Sequence, residues 1–274
     1  MMLYLVPTPI GNLSDISERC RRTLAEADFI AAEDTRVTLR LLNHLDIKKP
    51  LVSYYEHNKT QSGKKIVERI LAGETCALVS DAGSPAISDP GEDLVRLCAE
   101  SGITVTAIPG PCAAITALSI SALPTGRFTF EGFLSINKKA RRAHLESLKN
   151  EVRTMIFYEA PHKLTDTLKN LSETFGPERR ISLCRELTKL HEEVLRMSLG
   201  EAMAYYGENA PRGEYVLIIE GASVAEEEPA SVDDALSAVQ ELMDTGLSKK
   251  DAVKQVALQL GLPKNELYQA ALQI

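Results

Sequence analysis

Six titratable side chains sit just past apolar runs that read as β-strands. Glu33 and Asp34 follow residues 29–32, His57 follows 51–54, Glu159 and His162 follow 154–158, and Glu186 follows 181–184. In open α/β sheets, ligands bind outside the carboxyl ends of the strands. A carboxylate or imidazole placed there is a candidate proton acceptor. All but His57 also have a structural explanation. Glu33 and Asp34 read as an ion pair with Arg36, Glu159 and His162 as caps of the following helix, and Glu186 as a partner for Arg185. For any one residue the structural explanation is the stronger, because ion-pair networks imitate sites. Gathered at successive strand ends, they predict the substrate side of a cleft.

Interleaved with these residues are three loops built to one plan. The clearest spans 78–91: an apolar run stops at Ser80-Asp81, Ala82-Gly83-Ser84-Pro85 follows, and 92–99 reads as a helix. Pro9-Ile10-Gly11 follows a strand at 3–6, and Pro109-Gly110-Pro111 follows one at 105–108. Such loops lack bulk, so a ligand can approach the backbone closely. Taken alone, each is an ordinary turn of Pro and Gly; the threefold recurrence is what points to a shared task. Neither G-x-G-x-x-G nor G-x-x-x-x-G-K-[ST] occurs, which counts against a dinucleotide-binding Rossmann unit and a P-loop.

The elements that must hold these loops follow from the periodicity. Up to residue 122, strands alternate with helices, which predicts a mostly parallel sheet. Ser14 or Asp15 is the expected cap of the first helix, with Glu18 in a box-like position. Ile66, Val67, Ile70 and Leu71 mark one face of a helix over 63–72. Residues 113–122 form a helix of small apolar side chains, and 123–127 a hinge. A second α/β region of mixed strand direction follows, with strands at 128–134, 154–158, 181–184 and 215–220. It carries a basic helix over 137–149 and an amphipathic one with Leu164, Leu168 and Leu171. Residues 221–234, acidic and small, read as a linker. Three helices close the chain. The second is capped by Ser248 and ended by Gly261, and the third opens with Pro263 at its first position. The outline is that of a helix-turn-helix, although such pairs are more often plain packing modules. The expected boundaries are 1–122, 127–221 and 234–274.

The chain of 274 residues is 44% hydrophobic and 25% charged, enough for a core without disulfides or metals. Its formal net charge of -7 means that nucleic-acid contact must come from a local basic patch. Cys20, Cys76, Cys98, Cys112 and Cys184 are scattered, with no C-x-x-C pair, so neither a zinc site nor a disulfide framework is indicated. That suits a reducing cytosol. The first six residues lack a cationic leader, and no stretch is long enough to span a bilayer.

Six segments carry a resemblance: Pro7-Thr8-Pro9-Ile10-Gly11-Asn12-Leu13, Ala32-Glu33-Asp34-Thr35-Arg36, Ser80-Asp81-Ala82-Gly83-Ser84-Pro85, Ile108-Pro109-Gly110-Pro111, Phe157-Tyr158-Glu159-Ala160-Pro161-His162-Lys163 and Arg185-Glu186-Leu187-Thr188-Lys189. In that order they resemble the bacterial ribosomal RNA small-subunit methyltransferase I family, cytidine 2'-O-methyltransferases of the tetrapyrrole-methylase-like superfamily. The resemblance covers nearly the whole chain, tail included. It implies two α/β domains with S-adenosylmethionine in the cleft between them, a homodimer, and methylation of a decoding-site cytidine in small-subunit rRNA, as RNA or assembled 30S subunit. It places the cofactor against Pro9 and Gly11, against Gly83, Ser84 and Pro85, and against Pro109, Gly110 and Ala113. Many relatives have aspartate where Ser84 stands, so a hydroxyl contact is expected there, with Asp81 nearby to compensate. The first loop is Pro-Ile-Gly instead of the usual Gly-Pro-Gly.

Methyl transfer from a sulfonium is an in-line displacement that needs no metal, and the enzyme's task is alignment. A ribose 2'-hydroxyl is a poor nucleophile until its proton is engaged, and Glu159 or His162 is the preferred base. Glu33, Asp34, His57 and Glu186 are expected on the substrate side, with Arg36, Lys163, Arg185 and Lys189 as phosphate contacts. Lys138, Lys139, Arg141 and Arg142 are either an RNA-binding run or a solvated helix face. Two rivals remain: methylation of a small tetrapyrrole-like substrate, and a non-catalytic helix-turn-helix nucleic-acid-binding protein.

Overall fold

A computed structural model describes residues 1–223, 232–260 and 262–273. The chain divides into two compact units, Met1–Ala222 and Ser223–Ile274.

The first unit holds two five-stranded sheets. Strands β1 (Met2–Leu5), β2 (Phe29–Ala32), β3 (Leu51–Ser53), β4 (Thr75–Val79) and β5 (Thr104–Ala107) form one, in the order β3-β2-β4-β1-β5. Every pairing in it is parallel, as alternation with α1 (Glu18–Glu26), α2 (Thr35–His44), α3 (Lys59–Leu71) and α4 (Glu92–Glu100) requires. Its faces are apolar on both sides. Leu3, Phe29 and Leu78 pack toward Ile66, Ile70 and Leu94, while Val6, Ile30 and Val79 pack toward Leu24 and Leu42. Ser17 caps α1 by accepting from the Cys20 N–H at 3.1 Å, in place of the expected Ser14 or Asp15. Those two lie in a separate 3-10 turn, Leu13–Asp15, capped by Asn12.

Helix α5 (Ala113–Ile120) joins the two halves. Its Ala114, Ala117 and Leu118 pack on Ile156, Cys184, Val216 and Ile218 of the second sheet. Small side chains let a helix lie close against the strands it covers. That sheet comprises β6 (Phe128–Phe133), β7 (Thr154–Glu159), β8 (Arg180–Arg185), β9 (Glu193–Ser198) and β10 (Tyr215–Ile219), ordered β6-β7-β10-β8-β9. Only β6 and β7 run parallel, so its direction is mixed as predicted. Helices α6 (Lys138–Ser147), α7 (Leu164–Phe175) and α8 (Leu199–Glu208) complete it. Strand β9 and helix α8 have no counterpart in the sequence reading. Helix α8 starts on a full capping box between Ser198 and Glu201.

The second unit is a bundle of α9 (Val232–Asp244), α10 (Lys249–Leu260) and α11 (Lys264–Ala270) around Ala235, Val239, Val253, Val256 and Leu267. Ser248 caps α10 as predicted, accepting from the Asp251 N–H at 3.2 Å. Pro263 stands one position earlier than expected, as the cap residue of α11. Most of the predicted linker (224–231) and the Gly261 stop lie outside the described residues. Among the described residues, no helix is long and apolar enough to cross a membrane, and no group of three or more His, Cys, Asp or Glu could hold a metal ion.

Candidate active site

The strand order β4-β1-β5 makes the three Pro/Gly loops neighbours, since each leaves the carboxyl end of one of these strands. Thr8 and Gly83 exchange backbone hydrogen bonds of 2.9 and 3.0 Å. The Thr8 hydroxyl donates to the Ser80 carbonyl at 3.2 Å, and Ser84 Oγ donates to the Pro111 carbonyl at 3.0 Å. Gly83 holds φ +83, and a Cβ there would sit 3.3 Å from Ile10. A Cβ on Gly110 would sit 2.8 Å from the Pro7 ring. The loops therefore form one tight corner of exposed backbone.

This corner is one wall of a cleft of about 480 Å³, whose other wall is the strand ends of the second sheet. The volume lies within the roughly 300–1,000 Å³ of small-molecule sites. Of the residues singled out from sequence, Glu33, Asp81, Gly83, Ser84, Ala113, Glu159, Glu186 and Lys189 line it. Pro85 and Ser84 also line a smaller apolar hollow of about 340 Å³ with Pro7, Val95 and Ile108. Pro9, Gly11, Pro109 and Gly110 belong to the loops behind the lining; Gly11 abuts Lys189, whose Cγ would lie 2.5 Å from a Cβ there. Asp34, Arg36, His57, His162, Lys163 and Arg185 are not among the lining residues. The cleft also takes in Asp89, Phe133, Tyr158 and Glu214. Glu214 precedes its strand. Only the antiparallel course of β10 brings that end to the cleft, and the predicted mixed direction does not say which strand reverses.

The carboxylates divide into two groups. Burial, then Asp89 and Asp81, pushes Glu33 up from the usual carboxylate range. Burial and Asp81 push Asp89 up, against a hydrogen bond from Ser80. Asp81 itself accepts the Asp34 N–H at 3.0 Å. On the opposite wall, Glu186 Oε1 accepts from Lys189 Nζ at 2.9 Å and from the Glu214 N–H at 3.0 Å. Lys189 pulls that carboxyl down. Burial works to lower Lys189, but its bonds to Glu214 and Glu186 outweigh it and raise the ammonium. The expected Glu186–Arg185 pair is absent among the described residues: Arg185 meets Glu193 at 3.1 Å. Asp34 does pair with Arg36, at 2.6 Å, which with the hydrogen bonds from Arg36 holds it at about 2; Glu33 takes no part.

Glu159 is 5% exposed with both oxygens engaged. Oε1 accepts the Ala160 N–H at 2.8 Å, and Oε2 accepts the Thr167 hydroxyl at 2.6 Å. These bonds tie it to the start of α7, but neither it nor His162 is the expected helix cap: the 3-10 turn Pro161–Lys163 and α7 both begin without a side-chain cap. The loop beyond β8 is strained, with Glu186 at φ 51 and the β-branched Thr188 at φ 66. Strain of this kind persists where the surroundings over-determine it. Here they are the Glu186–Lys189–Glu214 bonds and the closely apposed Gly213.

The arrangement fits a ligand with cationic character. Glu33, Asp81 and Asp89 crowd negative charge into a partly dry space, and a positive ligand centre offsets their mutual repulsion. Beside them, the glycine-cornered backbone admits close approach.

Comparisons with known proteins bear on the fold and the family. The family profile described as Tetrapyrrole (Corrin/Porphyrin) Methylases matches residues 2–203, and that of the RsmI C-terminal HTH domain matches residues 229–274. The chain is 51% identical over 269 residues to ribosomal RNA small subunit methyltransferase I of Halalkalibacterium halodurans, covering 97% of this chain and 93% of that one. It is 46% identical to the protein of the same name from Synechocystis, over 100% of this chain and 98% of that one. Among solved structures, uroporphyrin-III C-methyl transferase from Thermus thermophilus complexed with S-adenyl homocysteine superposes with a TM-score of 0.55. The two share 19% identity, over 80% of this chain and 97% of that one, which is a likeness of fold.

Proposed function

The chain belongs to the ribosomal RNA small subunit methyltransferase I family of tetrapyrrole methylases, and from that premise we propose that it methylates the 2'-hydroxyl of a decoding-site cytidine in small-subunit ribosomal RNA. The methyl donor is S-adenosylmethionine, which when bound supplies an electrophilic methyl group on a sulfonium. The observation that carries this reading is the convergence of the three Pro/Gly loops on one acidic cleft.

The chain's own residues bind, orient and deprotonate. Gly83, Ser84 and Ala113 present the backbone-lined wall against which the donor lies, with Pro9, Gly11, Pro85, Pro109 and Gly110 fixing its shape. Glu33, Asp81 and Asp89 complement the donor's positive charge. Lys189, braced by Glu186 and Glu214, holds the opposite wall. For the hydroxyl proton, Glu33 is the acceptor we favour. It lines the cleft without the two-fold engagement of Glu159, and its raised pKa makes it the stronger base. His162 is exposed and is not in the lining.

The exposed cations of α6, Lys138, Lys139 and Arg142, are proposed phosphate contacts. Working on an assembled particle lets shape supply affinity that an acidic protein cannot draw from charge. The same reading carries a cytoplasmic homodimer, supported by the family resemblance and checked by sedimentation equilibrium, where a monomer at working concentration would refute it.

The test is labelled-methyl transfer from S-adenosylmethionine to free rRNA and to small subunits, with the product mapped to the nucleotide. Label at one cytidine ribose is expected, more of it on subunits. Label on a base, or none on either substrate, overturns the reading.

A further inference from the structure

Strand β6 carries an irregularity that changes what the cleft offers. Its pairing with β7 slips between Phe130 and Gly132, where Gly132 takes φ 63. Phe130 pairs with Ile156 and Phe133 with Tyr158, so the extra residue turns Phe133 onto the face that carries Phe130 and Tyr158. Simple alternation would have sent it to the other face. A Cβ on Gly132 would lie 3.3 Å from Ser88 Oγ, so the bulge packs against the loop of the first sheet.

The result is an aromatic ledge. Phe130 and Phe133 meet Tyr158 edge-on, with centroids 5.2 and 5.5 Å away and planes at 73° and 62°. Tyr158 is held in turn, its hydroxyl accepting the Ala114 N–H at 3.2 Å. Phe133 lines the cleft yet is 57% exposed. A phenyl ring set edge-on against Tyr158 and left mostly open to solvent gains little from burial, so the fold alone does not account for it.

We propose that Phe133 is a stacking platform for a nucleobase, that of the target nucleotide. The inference rests on the methyl-transfer reading above. A ribose hydroxyl reaches this cleft only if its nucleotide leaves the RNA stack, and the unstacked base then needs a flat apolar partner. Phe133 supplies one on the wall opposite the Pro/Gly corner. Its exposure suits an incoming macromolecule, and cofactor affinity separates that occupant from the methyl donor's adenine.

The experiment uses the full-length protein with Phe133→Ala, Phe133→Leu, Phe133→Tyr and Phe133→Trp. Each variant is assayed for labelled-methyl transfer to small subunits, with kcat and KM separated, and for S-adenosylmethionine affinity by titration calorimetry. Because the ring is mostly exposed, all four should fold, which circular dichroism checks. Loss of one base-stacking contact predicts kcat/KM lower by about 5- to 150-fold for Ala and Leu, carried mainly in KM for the subunit. Tyr and Trp should recover most of it, and cofactor affinity should be unchanged in all four. A Leu variant as active as wild type reduces Phe133 to apolar filler and overturns the inference. So does an unchanged Ala variant, or a fall in cofactor affinity that tracks the loss, which would assign the ring to the donor's adenine. Wild-type protein that transfers no label to RNA refutes the methyl-transfer reading itself, whereas an active wild type with indifferent variants refutes only the platform.

Discussion

Glu33 shows how one side chain's cost to the fold and its use in the site are linked. Its pKa in the fold is raised by burial and by Asp89 and Asp81. A carboxyl raised on folding binds its proton more tightly in the native state, so ionising it destabilises the fold. That cost is absent below the ordinary carboxylate range and complete once pH passes the raised value. Glu33→Gln should therefore melt higher than wild type at about pH 7.5, with the gap closing by about pH 3, below the ordinary glutamate range, as the carboxyl becomes neutral in both folded and unfolded states. The same variant should lose methyl transfer by about 100-fold or more if Glu33 takes the hydroxyl proton. Melting curves across pH check the first expectation and single-turnover rates the second. A variant less stable than wild type at neutral pH would show that Glu33 is a structural anchor. At this scale the sequence was partly legible. The Asp34–Arg36 pair follows from local spacing, whereas Glu159 bonds to Thr167 in place of capping the helix. The Glu33–Asp81–Asp89 grouping does not follow from spacing, because it brings together residues from two different strand-end loops.

Elements repeat the lesson. Strands and helices of the first half were readable because buried parallel strands are continuous apolar runs bounded by turn residues. Strand β9 was missed because it is an edge strand with no buried residue, its apolar run interrupted by the exposed Arg196. The face that Phe133 takes is not legible from alternation, because one glycine bulge inverts it beyond Phe130. The Pro/Gly corner was found by composition, but its tightness is a matter of packing. Gly110→Ala would drive a methyl group to 2.8 Å from Pro7, a ring with no rotamer to yield. Overpacking of this kind costs about 1–3 kcal/mol, and the displaced loop should weaken S-adenosylmethionine binding as well. Gly126→Ala is the control, since nothing lies within 4 Å of a Cβ there. Denaturant midpoints and calorimetric titration would read both effects, and equal stability and affinity in the two variants would mean that the corner is slack.

For the molecule as a whole, the shared task of the three loops was legible in their common plan, but the strand order that joins them was not. Adjacency of β4, β1 and β5 makes three loops, as much as 100 residues apart in the chain, into one wall. The placing of α5 against the second sheet then sets the opposite wall. Charge on this scale was legible, and it poses a problem: a protein with formal net charge -7 must approach a polyanion. Helix α6 offers a local solution, with Lys138, Lys139 and Arg142 exposed and outside every ion pair found among the described residues. Each phosphate a cation neutralises releases condensed counterions, so affinity falls with salt in proportion to the number of such contacts. Replacing Lys138, Lys139 and Arg142 by Gln should flatten the slope of log affinity against log salt by about 0.7–0.9 for each contact removed. Binding to small subunits measured across a salt series decides it. A variant that keeps the wild-type slope, whatever its absolute affinity, would mean that α6 faces solvent and that the subunit is held by shape and by the cleft.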